Sequence, residues 1–127
     1  MTNGLNVIGS GRENEMAYDL HLAQRMRENL AGLHDLAGLE EKKMFGGVGF
    51  MIHGNMACGV HADYMIVRVG PENYQAALRQ PFTRPFDMTG RPMAGWVEVS
   101  QPGCEQDGDL QAWIKQGIDF ASSLPPK

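Results

Sequence analysis

Cysteine is scarce in this chain, and what there is does not pair. Cys58 and Cys104 stand far apart and form no Cys-x-x-Cys motif, which leaves no disulfide framework, zinc ribbon or dithiol redox motif to build. Two free thiols in a reducing cytoplasm are expected. Long apolar runs are missing too. None approaches the roughly eighteen residues that span a bilayer, and no charged segment leads into an apolar one as a signal peptide requires. The expectation is therefore a cytoplasmic protein with no membrane contact. An excess of positive charge is also absent. Formal net charge is −4, so bulk electrostatics give no reason to expect nucleic-acid binding.

Catalytic signatures are missing as well. No Ser-x-x-Lys or Gly-x-Ser-x-Gly occurs. Cys58 falls mid-strand, where a thiol is packing. Cys104 falls in a loop beside Glu105, Asp107 and Asp109, whose charges would raise its pKa. His53 and His61 share one hairpin on opposite faces, and His21 and His34 lie on a helix, so no metal set assembles. Gly46-Gly47-x-Gly49 runs into a strand-like segment. A phosphate loop must open a helix so that its N–H groups converge. No catalytic residue, metal or cofactor is expected, and the chain reads as a non-enzyme.

What is present is a well-punctuated single domain of 127 residues. Residues 1–15 carry three glycines and no periodicity, which suggests a flexible tail ahead of one domain over 16–127. Asp19 is a plausible N-cap for a helix over 19–37, with Leu22, Met26, Leu30, Leu33 and Ala37 on one side and Gly38 as its stop. Strands are expected at 40–45, 48–53, 56–61, 64–69 and 95–100. The first is charged and reads as an edge. A short helix over 71–79 starts at Gly70-Pro71-Glu72. Residues 81–92 read as an irregular connection. The closing helix, 108–122, has Leu110, Trp113, Ile114, Gly117, Ile118 and Ala121 at helical spacing. The expected fold is α+β in two layers, a five-stranded antiparallel sheet with helices in the order α-β4-α-β-α.

Two-residue turns at Gly54-Asn55 and Ala62-Asp63 then set the faces by alternation. One face carries Met51, Met56, Cys58, Val60, Met65, Val67 and Val69 and is assigned to the helices. The other carries Val48, Phe50, Ile52, Ala57, Gly59, His61, Tyr64, Ile66 and Arg68. Its apolar part is the candidate interaction face: Phe50, Ile52, Gly59, Tyr64, Ile66 and Arg68. A second copy or another protein is expected to cover it, with an isologous homodimer the simplest arrangement. Residues 42–93 carry a net +3 between acidic ends of −4 and −3. Lys42, Lys43, Arg84 and Arg91 are therefore candidate anion or partner contacts. Gly46, Gly47 and Gly49 have a structural role, as a bulge or a close backbone approach.

These residues also carry a resemblance. Lys42-Lys43-Met44-Phe45-Gly46-Gly47-x-Gly49, then Gly54-Asn55-Met56, then Tyr64-x-x-x-Arg68 resemble the TfoX N-terminal domain of the TfoX/Sxy family. Thr89-Gly90-Arg91-Pro92-Met93 and Gly95-Trp96-Val97 look like a subgroup. The resemblance extends over about residues 16–126. It implies an α+β domain similar to secretion-chaperone-like folds and a regulatory context, because the family's named members promote competence gene expression. Those members carry a second, C-terminal domain with no counterpart in this sequence, so a stand-alone N-terminal domain is expected. The family has no agreed catalytic residues to transfer. Two functions follow. One is a small regulatory or protein-interaction module. The alternative is a nucleic-acid-binding module using the basic middle of the chain.

Overall fold

The computed structural model describes residues 18–33, 38–44, 46–87 and 90–127. The proposed tail over 1–15 lies outside them. The first helix, Leu20–Ala31 (α1), starts where Asp19 accepts a hydrogen bond from the Leu22 amide at 2.9 Å. Leu22, Ala23, Met26 and Leu30 are its buried side. It stops at Gly32, short of the expected end at residue 37. Gly32 is a poor helix residue, and its N–H folds back onto Asn29 and Leu30. Leu33, expected on the buried stripe, is 45% exposed. Residues 34–37 lie outside the described set.

Strands Leu39–Met44 (β1), Gly47–Ile52 (β2), Asn55–His61 (β3) and Tyr64–Arg68 (β4) form the expected meander. A 3-10 turn at Pro71–Asn73 leads into the short helix Tyr74–Leu78 (α2). Thr83–Asp87 (β5) and Pro92–Val99 (β6) follow, then helices Gln101–Cys104 (α3) and Asp107–Ser122 (α4). The sheet has six strands in the order β1-β2-β3-β4-β6-β5, all antiparallel. The sixth strand, β5, occupies a stretch expected to be irregular. Pro81 and Pro85 hide it in the sequence. At a sheet edge a missing N–H can face solvent, so proline is tolerated there. α3 was also unforeseen, although Pro102 stands in its first turn.

All four described helices give their buried side chains to one core, on one side of the sheet. Leu22, Met26 and Leu30 of α1, Ala77 of α2, Cys104 of α3 and Leu110, Ile114 and Ile118 of α4 all join it. Arg25 ties the helical layer together. It donates to the carbonyls of Cys104 (3.1 Å) and Glu105 (2.9 Å) and to the Asp107 carboxylate (3.0 Å). These carbonyls end α3, where the helix itself leaves them without partners.

The register departs from expectation by one residue, and that reverses β2. The turn is His53-Gly54, with φ 50° and 85°, so Ile52 pairs with Asn55 and Met51 with Met56. Both central residues are left-handed, as a two-residue hairpin of this hand requires. Asn55 is instead buried, and its amide donates to the Pro125 carbonyl at 3.0 Å. The Lys127 N–H donates to the His53 carbonyl at 2.8 Å, so the end of the chain clamps the turn. A bulge follows, because Phe50 pairs with Cys58 and Ala57 is the extra residue. Val48, Phe50 and Ile52 therefore face the helices, and each is 2% exposed. Met51 and Met56 move to the opposite face. One slipped residue exchanges every side chain of a strand between faces.

Gly117 of α4 sits directly on this bulge. A Cβ there would collide with the Ala57 carbonyl oxygen and stand 3.0 Å from its carbon. Alanine would favour the helix by roughly 1 kcal/mol. Overpacking against backbone costs about 1–3 kcal/mol. Gly117→Ala should therefore lower stability in urea unfolding, and an increase would show that the helix shifts freely.

Glu41 on β1 reaches the helical layer. Arg27 holds it in a fork, Nε to Oε1 and Nη2 to Oε2, both at 2.8 Å. That hydrogen bonding pulls the Glu41 pKa down and raises that of Arg27. The side chains are 42% (Arg27) and 34% (Glu41) exposed, so the pair contributes at most about 1 kcal/mol. A depressed carboxylate stabilises above its unfolded pKa of about 4.3 and loses this as pH falls through the folded value. Glu41→Gln should therefore be slightly less stable than the native chain at pH 7. The difference should shrink to nothing in acid, as followed by thermal melts across pH.

Candidate functional site

The candidate site is the sheet face away from the helices. Gly49 of β2 pairs with Gly59 of β3 at its centre. A Cβ on Gly59 would collide with the Val48 carbonyl and the Met56 methyl group. The Met44 and Met56 sulfurs lie 3.4 and 3.5 Å from where a Gly49 Cβ would stand. Two flexible thioethers thus occupy the space that the two glycines leave. Met51, Ile66 and Phe86 are buried but take no part in the helical core. They make a second, thinner apolar layer on this face.

Polar groups frame it. Ile66 pairs with Glu98 across β4 and β6, and Glu98 in turn with Arg84 of β5. Arg84 Nε donates to the nearly buried Glu98 carboxylate at 2.5 Å, which raises the Arg84 pKa. His61 Nδ1 and the Tyr64 hydroxyl stand 3.0 Å apart. Burial, helped by the Glu98 charge, raises the Tyr64 pKa. Arg68 lies at the sheet's end. Its guanidinium carbon is 5.0 Å from the Trp96 ring centre and 5.3 Å from that of Phe120 on α4, and burial lowers its pKa.

Of the expected face, Gly59, Tyr64 and Ile66 are where alternation puts them. Phe50 and Ile52 are not, because both belong to the helical core. Arg68 touches both layers at the rim. The four basic contacts do not converge. Lys42 pairs with Gly49 and shares its face, while Lys43 pairs with Val48 on the helical face. Lys42 and Arg84 stand on opposite edge strands, about 24 Å apart at the usual strand spacing. Arg91 is exposed in the β5–β6 connection. Gly46 takes φ 74° in the β1–β2 turn. A side chain on Gly47 would strike the Val60 carbonyl.

Met44, Met56, Trp96, Glu98 and Phe86 were not foreseen on this face. One signal was available. Along β2 the bulky residues are Val48, Phe50 and Ile52 and the alternate ones Gly47, Gly49 and Met51. The bulkier set belongs against the helices, since burial energy rises with apolar area.

A sequence profile of the TfoX N-terminal domain matches residues 31–121, more than two thirds of the chain. The chain belongs to the TfoX N-terminal domain family. No curated protein matches it. The matched span of this TfoX N-terminal domain takes in the whole sheet and nearly all of α4, so the open face lies inside it. No described helix is long and apolar enough to cross a membrane.

The thiols of this TfoX N-terminal domain are packing groups. Burial pushes Cys58 up to about 12 and, as the largest effect, Cys104 up to about 11, against a smaller lowering by Arg25. Cys104 ends a helix and is buried. Burial outweighs the acidic neighbours that the sequence suggested. At pH 8 both thiols are therefore almost wholly protonated, and thiolate is the reactive form. A chromogenic disulfide reagent should therefore label neither cysteine until urea unfolds the chain. Prompt labelling in the native state would contradict this burial.

Proposed function

We propose that this chain is a small cytoplasmic regulatory module that works by protein contact through its open sheet face, not by catalysis. Membership in the TfoX N-terminal domain family, whose named members are competence regulators, supports the regulatory reading. One observation carries the choice of face: no described helix covers it, and half-buried Met44, Met56 and Trp96 stand on it beside the buried Met51, Ile66 and Phe86. Antiparallel sheets commonly leave one face to water, but that face is then polar at alternate positions. Here β2 and β3 offer methionine and glycine at those positions, with Ile66, Phe86 and Trp96 beyond them, and the charged groups Lys42, Arg68, Arg84 and Glu98 stand on the strands around. Methionine-rich surfaces suit partners of varied shape, because the thioether adapts. The partner is another protein or a second copy. The nucleic-acid alternative is weakened by the separation of Lys42, Lys43 and Arg84, since phosphate-tracking proteins gather their cations.

Site-specific photocrosslinking tests the face. A benzophenone amino acid at Met56, on the open face, should give protein adducts in the native cell. The same group at Gln111, exposed on α4, should not. Adducts from position 111 alone would move the contact surface to the helical side. A second-copy adduct at position 56, with dimer mass in light scattering, would identify the partner as self.

A further inference from the structure

We propose that Arg68 is the docking point for a carboxylate, carried on an acidic and apolar-flanked segment of a partner protein. The inference rests on the open-face reading and adds the chemistry of the partner.

The backbone under Arg68 is tightly built. The Val69 and Gly70 amides both donate to the Gly95 carbonyl, at 2.8 and 3.1 Å. Gly70 and Gly95 take φ 88° and 90°, which side chains resist. A Cβ on Gly95 would stand 3.1 Å from the Gly70 carbonyl carbon, and one on Gly70 would stand 2.5 Å from the Phe120 ring. Two strands and a helix end meet there with no slack. The junction puts Arg68 opposite Trp96 in register and brings Phe120 against it. The guanidinium lies within cation–π range of both rings. Its position is fixed before any ligand arrives, which lowers the entropy cost of binding.

Arg68 also lacks a counter-ion among the described residues. Arg25, Arg27 and Arg84 each hold a carboxylate. Arg79 and Arg91 are exposed to water. Arg68 is half-buried and, among the described residues, has neither an ion-pair partner nor a hydrogen bond to its N–H groups. A partly desolvated cation without an anion carries an unfavourable charge. Its five N–H groups form a fork that fits a carboxylate in two-point contact.

The surroundings select the partner. One isolated cation matches one monoanion. The neighbouring Arg84 is already neutralised by Glu98 at 2.5 Å. Lys42 is three strands away, roughly 14 Å. Nucleic acid would need several cations along its backbone and free rings for its bases, but both ring contacts are taken by the guanidinium. A second copy fits less well. Its face offers Glu98, already bonded, and Glu40 on the far edge strand. A polypeptide acid flanked by apolar residues satisfies both Arg68 and the half-buried Trp96 and Phe120 rings beside it.

Parallel selections from one phage-displayed peptide library, on the native protein and on Arg68→Gln, test this. The native pool should be enriched in Asp or Glu beside aromatic or aliphatic residues. A synthetic peptide from that pool should bind Arg68→Gln at least tenfold more weakly, and its own Glu→Gln form should lose as much on the native protein. Circular dichroism checks the fold of the variant. If Arg68→Gln does not fold, Arg68→Lys replaces it. That change keeps the charge but loses the fork, and should weaken binding severalfold. An empty pool, a pool without acidic bias, or equal affinity for native and variant protein overturns the proposal. Peptides that shift the amide resonances of Met56, Gly59 and Ile66 but ignore Arg68 would sink this inference and leave the open-face reading standing. Peptides that map to α1 and α4 would sink both.

Discussion

The contact between Gly117 and the Ala57 carbonyl governs the arrangement of this domain. The bulge at Ala57 turns a backbone carbonyl and two small residues, Ala57 and Cys58, toward α4. A helix can settle on such a surface only where it carries no side chain of its own. Close backbone approach brings Leu110, Trp113, Ile114 and Ile118 down onto β2, β3 and β4 on either side. The same extra residue resets the register between β2 and β3. That places Phe50 and Ile52 under the helix and frees Met51 and Met56 to the other face. Helix seating, core composition and open-face composition are three consequences of one inserted residue.

On the open face, glycines set the shape and methionines fill it. Gly49 and Gly59 face each other across β2 and β3 with thioethers over them, and a Cβ on Gly59 has no room. The other end of the face is more rigid and more polar. There the Gly70–Gly95 junction fixes Arg68 beside Trp96 and Phe120, and Glu98 holds Arg84. An adaptable apolar half and a rigid charged half suit a protein-binding surface, since area comes from the first and orientation from the second.

Much of this was readable from local chemistry. Asp19 announced a helix start, Glu40 to Lys43 announced an edge, and the spacing from Leu110 to Ala121 announced α4. The Met-Phe-Gly-Gly segment pointed to the family that the profile match then showed. Three features were not readable. β5 was hidden by Pro81 just before it and by Pro85 within it, and Pro85 is tolerated because β5 is the outer edge of the sheet. The early end of α1 was hidden by apolar spacing that continues past Gly32. The faces of β2 were hidden by the bulge at Ala57, since moving the turn from Gly54-Asn55 to His53-Gly54 shifts the pairing by two and keeps the faces, and only the extra residue then exchanges them.

Side-chain periodicity and turn residues determine which segments are helix and which are strand, because both are set within a few neighbours along the chain. Residue identity likewise marked Gly59, Tyr64 and Ile66 as belonging together, since β3 and β4 pair through one short turn. Distant residues decide the rest. Asn55 is held out of the turn by Pro125, and His53 is held in it by Lys127, seventy or more positions away. Arg68 meets Trp96 and Phe120 only once β6 and α4 are in place. A strand's alternation shows that two faces exist. Which face the helices cover depends on register, and register is settled by contacts that form only in the folded chain.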